Sequence, residues 1–216
     1  MSHDSQLKQS VLDELKWEPS IDAAHIGVTA REGVVTLMGH VDSYFEKRAA
    51  EMAAGRVKGV KAVAEEIEVK LPFSIKRSDE DIAAAAISRL SWDVSVPKDA
   101  IKVKVEKGWV TLTGQVDWHY QKQAAEMDLR GLHGVRGVSN NATIKTRVNT
   151  ENLSDAIGSA LHRSWFYNSD NVSVSAEGGK VRLTGTVDTW YDREVAESTA
   201  WAAPGATAVE NNIMVN

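Results

Sequence analysis

The sequence predicts an α+β protein of three tandem αββαβ units, each a small three-stranded mixed sheet covered on one face by two helices. Three observations predict it. The motif V-x-L-x-G-x-V-D occurs three times, at Val35–Asp42, Val110–Asp117 and Val181–Asp188. Its glycines, Gly39, Gly114 and Gly185, stand 75 (114 − 39) and 71 (185 − 114) residues apart. The same offsets hold without a gap upstream, where Leu7 and Leu15 meet Ile82 and Leu90, then Leu153 and Leu161. They also hold downstream, where Ile67-Glu68-Val69 meets Ala142-Thr143-Ile144 and Ile213-Met214-Val215. A gapless register of this length marks repeated copies of one folding unit. The 216 residues divide into repeats over 1–72, 78–146 and 149–216. Each is near the lower size limit for a self-sufficient core, so neighbours are expected to support one another.

Each unit opens with an amphipathic helix. Leu7, Val11, Leu12 and Leu15 recur at helical spacing, as do Ile82, Ala86, Ile87 and Leu90, and Leu153, Ile157 and Leu161. Ser78 with Asp81 reads as a capping box. Trp17 and Trp92 follow the first two helices at equivalent positions and read as core; in the third unit Trp165 is displaced by two positions. Two strands come next. Ile26 and Val28 alternate with small or polar residues, then a turn at Gly33 leads to Val35, Leu37, Gly39 and Val41 on one face. A glycine on that apolar face implies close approach, for which a crossing helix is the expected cause. Asp42, Asp117 and Asp188 then suit the N-cap of that helix. Its small residues, Ala49-Ala50 with Met52, Ala124-Ala125 with Met127, and Val195-Ala196, are expected to pack on the sheet. A glycine turn (Gly59, Gly134, Gly205) precedes the last strand.

The glycine motif, the V-D step and the αββαβ order together resemble the BON domain, and three copies would cover nearly the whole chain. That resemblance implies a non-catalytic module of bacterial osmotic-shock and envelope proteins, attaching to phospholipid surfaces or to other proteins.

Composition narrows the partners. A net charge of −5 and pI of about 5.7 disfavour nucleic acid, which needs clustered Lys and Arg. With no cysteine, disulfides, thiol catalysis and cysteine-bound zinc are excluded. No metal-ligand spacing, nucleophile motif or phosphate loop occurs, so neither an enzyme nor a cofactor is expected. No run of about 18 apolar residues offers a transmembrane segment. The start lacks a secretory pattern, so the chain as written is expected to be cytoplasmic, with association to the periplasm or envelope left open.

The informative residues are aromatic. Trp109 aligns with Val34 and Lys180, Trp118 with Ser43 and Thr189, and Trp201 with Gly55 and Arg130. A position that takes Lys, Ser or Arg in a sister unit is exposed in the fold of one unit. A tryptophan there is expected to bury against another unit, another chain or lipid. Phe45, Tyr120 and Tyr191 share a position expected to pack on the sheet, while Tyr44, His119 and Trp190 are expected to project outward. The binding residues expected are therefore Tyr44, Trp109, Trp118, His119, Trp190 and Trp201. Two functions follow: a stress-related binding protein on phospholipid or envelope surfaces, or a homo-oligomer whose head-to-tail contacts close a ring for passage of small solutes.

Overall fold

Leu7, Val11 and Leu15 fall on one side of the first helix and are buried, which fixes how that helix lies on its sheet. In the computed structural model, which describes residues 3–146, 152–163 and 171–215, this pattern occurs three times. The first unit comprises α1 (His3–Trp17), β1 (Ile26–Arg31), β2 (Val34–Val41), α2 (Tyr44–Gly55) and β3 (Ala62–Val69). The second comprises α3 (Asp79–Trp92), β4 (Ile101–Glu106), β5 (Trp109–Val116), α4 (His119–Arg130), β6 (Gly137–Asn140) and β7 (Thr143–Ile144). The third comprises α5 (Leu153–His162), β8 (Val172–Glu177), β9 (Lys180–Val187), α6 (Trp190–Trp201) and β10 (Ala208–Val215). Trp165 lies outside the described residues.

In every unit the motif strand is central. β2 pairs antiparallel with β1 and parallel with β3, so hairpin and crossover both return to it. β9 does the same with β8 and β10. In the middle unit Asn141 and Ala142 interrupt the last strand, leaving β6 and β7 each parallel to β5. The alternation predicted from sequence is met: Val35, Leu37 and Val41 are buried, as are Val110, Leu112 and Val116, and Val181, Leu183 and Val187.

Several expectations need correction. The repeated glycines are forced by backbone, not by a crossing helix. Gly39, Gly114 and Gly185 have φ of +120°, +136° and +130°. A Cβ there would collide with the carbonyl oxygen of His25, Ala100 or Asn171, just before the paired strand. Both the positive φ and the collision exclude a side chain. The helix caps shift by one residue: Ser43 accepts from the Glu46 N–H at 3.2 Å and Thr189 from the Asp192 N–H at 3.1 Å. Asp42 instead donates its N–H to Glu46, and Asp117 forms an ion pair with Lys145 at 3.1 Å. The crossover helix buries Ala50, Ala125 and Ala196, but Met52 and Met127 face outward. Ile87 also leaves the predicted stripe and is exposed.

Trp17 and Trp92 are not core. Each is 83% exposed, at the C-terminal end of the helix that opens its unit. Buried residues of the first two units form one continuous core that includes Tyr44 and Leu71, whereas the third unit has its own.

Candidate interaction site between the units

The crossover helices α2, α4 and α6 carry contacts that join the units, and one pair of repeat positions recurs at the junctions. The first position opens the helix, at Tyr44, His119 and Trp190; the second closes it, at Gly55, Arg130 and Trp201. At two junctions the opening side chain touches the closing position of the next unit, and at the third Tyr44 lies near Arg130. The His119 imidazole stacks on the Trp201 indole with centroids 4.0 Å apart and planes inclined by 11°. The Trp190 indole lies against Gly55, so closely that a Cβ there would stand 3.3 Å from it. Tyr44 is 8% exposed and lies within electrostatic reach of Arg130 and Glu126 of the second unit. The contacts run from unit one to two, two to three and three back to one. This is a head-to-tail cycle closed inside one chain.

Size is compensated around the cycle. Where the closing residue is glycine, the opening residue is tryptophan; where it is tryptophan, the opening residue is histidine. Close-packed interiors demand this, because neither a void nor an overlap is tolerated. Burial raises the Tyr44 phenol above its usual range, so it stays neutral. Burial, with Lys122 adding to it, lowers the His119 imidazole, against the opposing pull of Glu197 and Glu126. Its Nδ1 is buried without a hydrogen-bond partner. Arg193 lies over the Trp190 ring, 5.0 Å from its centroid.

Trp118 is half-buried at the N-cap position of α4, where the Gln121 side chain accepts from the N–H groups of both Asp117 and Trp118. Trp109 does not join units. Its ring covers Gly137 of the neighbouring strand in its own unit, and its Nε1 donates to Ser139 at 2.8 Å. The tryptophan therefore fits a sheet face whose facing residue has no side chain, and it remains 48% exposed.

Between the three helices lies an open cavity of about 1090 Å³. It is reached by Arg48 and Met52 of α2, Tyr120 and Gln123 of α4, and Tyr191, Glu194 and Ser198 of α6, with Trp118, His119 and Trp201 at its wall. Phe45, Tyr120 and Tyr191 are thus not packed on the sheets: they are 51%, 56% and 52% exposed, and two of them border this cavity. Among the described residues no group of three acidic, histidine or cysteine side chains could hold a metal ion.

A family model for the BON domain matches residues 3–70, 78–146 and 149–216. The chain belongs to the BON domain family. It is 31% identical over 146 residues to osmotically-inducible protein Y of Escherichia coli K12, covering 66% of this chain and 73% of that protein. Two solved structures of CdsD, a structural protein of the type III secretion system of Chlamydia trachomatis, match at 18% identity and a TM-score of 0.27. They cover 100% and 98% of this chain, and 99% and 92% of their own. In BON terms, the three matched segments are the three αββαβ units, and the repeated glycine is the backbone contact at the centre of each. Sequence reasoning missed the cavity stripe Arg48, Gln123 and Glu194. The shared repeat offset would have grouped these residues, but only the cyclic packing turns them towards one space.

Proposed function

We propose that this protein is a non-enzymatic, stress-related binding protein that docks on phospholipid surfaces of the envelope through Trp17 and Trp92. The observation that carries this reading is their 83% exposure at equivalent helix ends. The six aromatics first expected to bind are mostly occupied within the chain, whereas these two indoles have little shelter. Where head-to-tail contacts close by rotation, equivalent positions turn to one side of the assembly. A flat surface can then meet both at once. Indole suits the lipid–water boundary, with an apolar ring and a polar N–H. Val94, fully exposed two residues after Trp92, extends the apolar tip. With net charge −5, the attraction rests on apolar insertion rather than on anionic lipid. Among the described residues no helix is long and apolar enough to cross a membrane.

Co-sedimentation with phosphatidylcholine and mixed phosphatidylglycerol vesicles tests the reading. The intact chain should sediment with both, Trp17→Ala and Trp92→Ala should each weaken it, and the double variant should stay in solution. Trp109→Ala should behave as the intact chain. Failure of the intact chain to sediment at moderate salt would remove lipid docking. Ring assembly between chains draws less support, because Tyr44, His119 and Trp190 have contacts inside the chain that leave them few reasons to seek another.

A further inference from the structure

The cavity between the crossover helices has a chemical character separate from the lipid-docking tryptophans. Arg48, Gln123 and Glu194 occupy one repeat position and all reach it, so a cation, a neutral amide and a carboxylate stand at one level around a shared space. Tyr120 and Tyr191 stand one turn nearer the helix starts and also border it. The arginines are unfinished. Arg48 pairs through one terminal nitrogen with Glu51, and Arg130 pairs with Glu126 at 2.7 Å. Yet the Nε of each is buried without a hydrogen-bond partner. Those Nε atoms are enclosed, so a ligand in the cavity meets the terminal nitrogens, whose fork matches a carboxylate. From α6, Glu194 accepts from Trp190 Nε1 at a long 3.3 Å, and this carboxylate is otherwise exposed.

We infer that this cavity binds a small zwitterion, a carboxylate joined to an ammonium or quaternary ammonium group. The ligand's carboxylate meets Arg48 and Arg130. Its cationic end lies between Glu194 and the rings of Tyr120 and Tyr191, whose faces attract alkylated ammonium groups. A purely anionic ligand would meet Glu194 and Glu197, and a purely cationic one would meet two guanidinium groups; opposite charges on one molecule suit both. The space exceeds one such solute and is open, so binding should be weak and should retain water.

Glycine betaine is the probe, titrated into the full chain by calorimetry and by NMR of the indole N–H signals. Saturable binding is expected, with the Trp118 and Trp201 signals moving and those of Trp17 and Trp92 still. Acetate and tetramethylammonium should each bind at least fivefold more weakly. Arg48→Gln and Glu194→Gln should also weaken betaine binding at least fivefold. Both residues are at least partly exposed, and circular dichroism would show that the variants keep the fold. No saturable binding would overturn the proposal, as would equal binding of acetate or tetramethylammonium, or variants that bind like the intact chain. Vesicle sedimentation reads different residues, so either reading can fail while the other stands.

Discussion

The junction between the first and second units differs from the two that hold the third, although all use the same pair of repeat positions. At the first junction Tyr44 is buried in a core continuous across both units. At the others an imidazole stacks on an indole and an indole covers a glycine, while the third core stays separate. A shared core couples two units into one cooperative body; a surface contact lets a unit open alone. The repeat therefore has one geometry and two outcomes: Tyr44 and the linker residue Leu71 join the first two cores, and nothing comparable joins the third among the described residues.

The largest effect should come from breaking one unit at its glycine and asking which others follow. Gly114→Ala and Gly185→Ala impose the same positive φ and the same carbonyl collision, so each should cost at least about 3 kcal/mol. Hydrogen exchange read segment by segment should separate them. Gly114→Ala should loosen α1 and β2 as well as its own unit; Gly185→Ala should loosen α5 to β10 alone. Equal spread from both substitutions would mean that the third unit is coupled as tightly as the others.

Much of this was legible in the sequence, and the errors share one cause. Periodicity and the constant offset gave the three units, their strands and their buried leucines, because those depend on contacts within one unit. Trp17 and Trp92 read as core in the sequence because apolar character at a helix end carries no direction. Tyr44 and Phe45 were exchanged for a related reason: adjacent helix residues differ by about 100° in direction. Which of the two meets a neighbour depends on how units pack. Trp109 was expected to need shelter elsewhere, yet Gly137 on the next strand supplies it. That glycine lies 28 residues away in sequence, opposite Trp109 only once β5 and β6 are in register.

A smaller effect would sharpen the account of the junction between the third and first units. Gly55→Leu places a branched side chain where the Trp190 ring lies, and overpacking of this kind costs about 1–3 kcal/mol. The damage should fall on docking rather than on either core. Trp190→Ala should relieve it, so that the double variant is more stable than the sum of the single losses implies. A double-mutant cycle in thermal unfolding measures this coupling, expected at about 1 kcal/mol or more. Strict additivity would mean that Trp190 and Gly55 are not coupled at this junction.

The smallest expected effect is the dependence of that remaining contact on pH. The His119 imidazole lies lower in the folded chain than its ordinary value of about 6.5, through burial first and Lys122 second. Glu126 on its own helix and Glu197 on α6 oppose the shift without cancelling it. The folded chain therefore holds fewer protons here than the unfolded chain near pH 6. The stabilisation is fully present above the ordinary imidazole value and is lost as pH falls through the lower, folded one. Mild acid should thus raise hydrogen exchange in α6 before it affects the joined core of the first two units, and His119→Gln should flatten this response. A protonated imidazole can also be drawn to the face of an indole. If that attraction outweighed the loss of hydration, acid would tighten the contact and the slope would reverse. The unpartnered Nδ1 argues for the first outcome, since protonation would require a second buried donor where no acceptor stands.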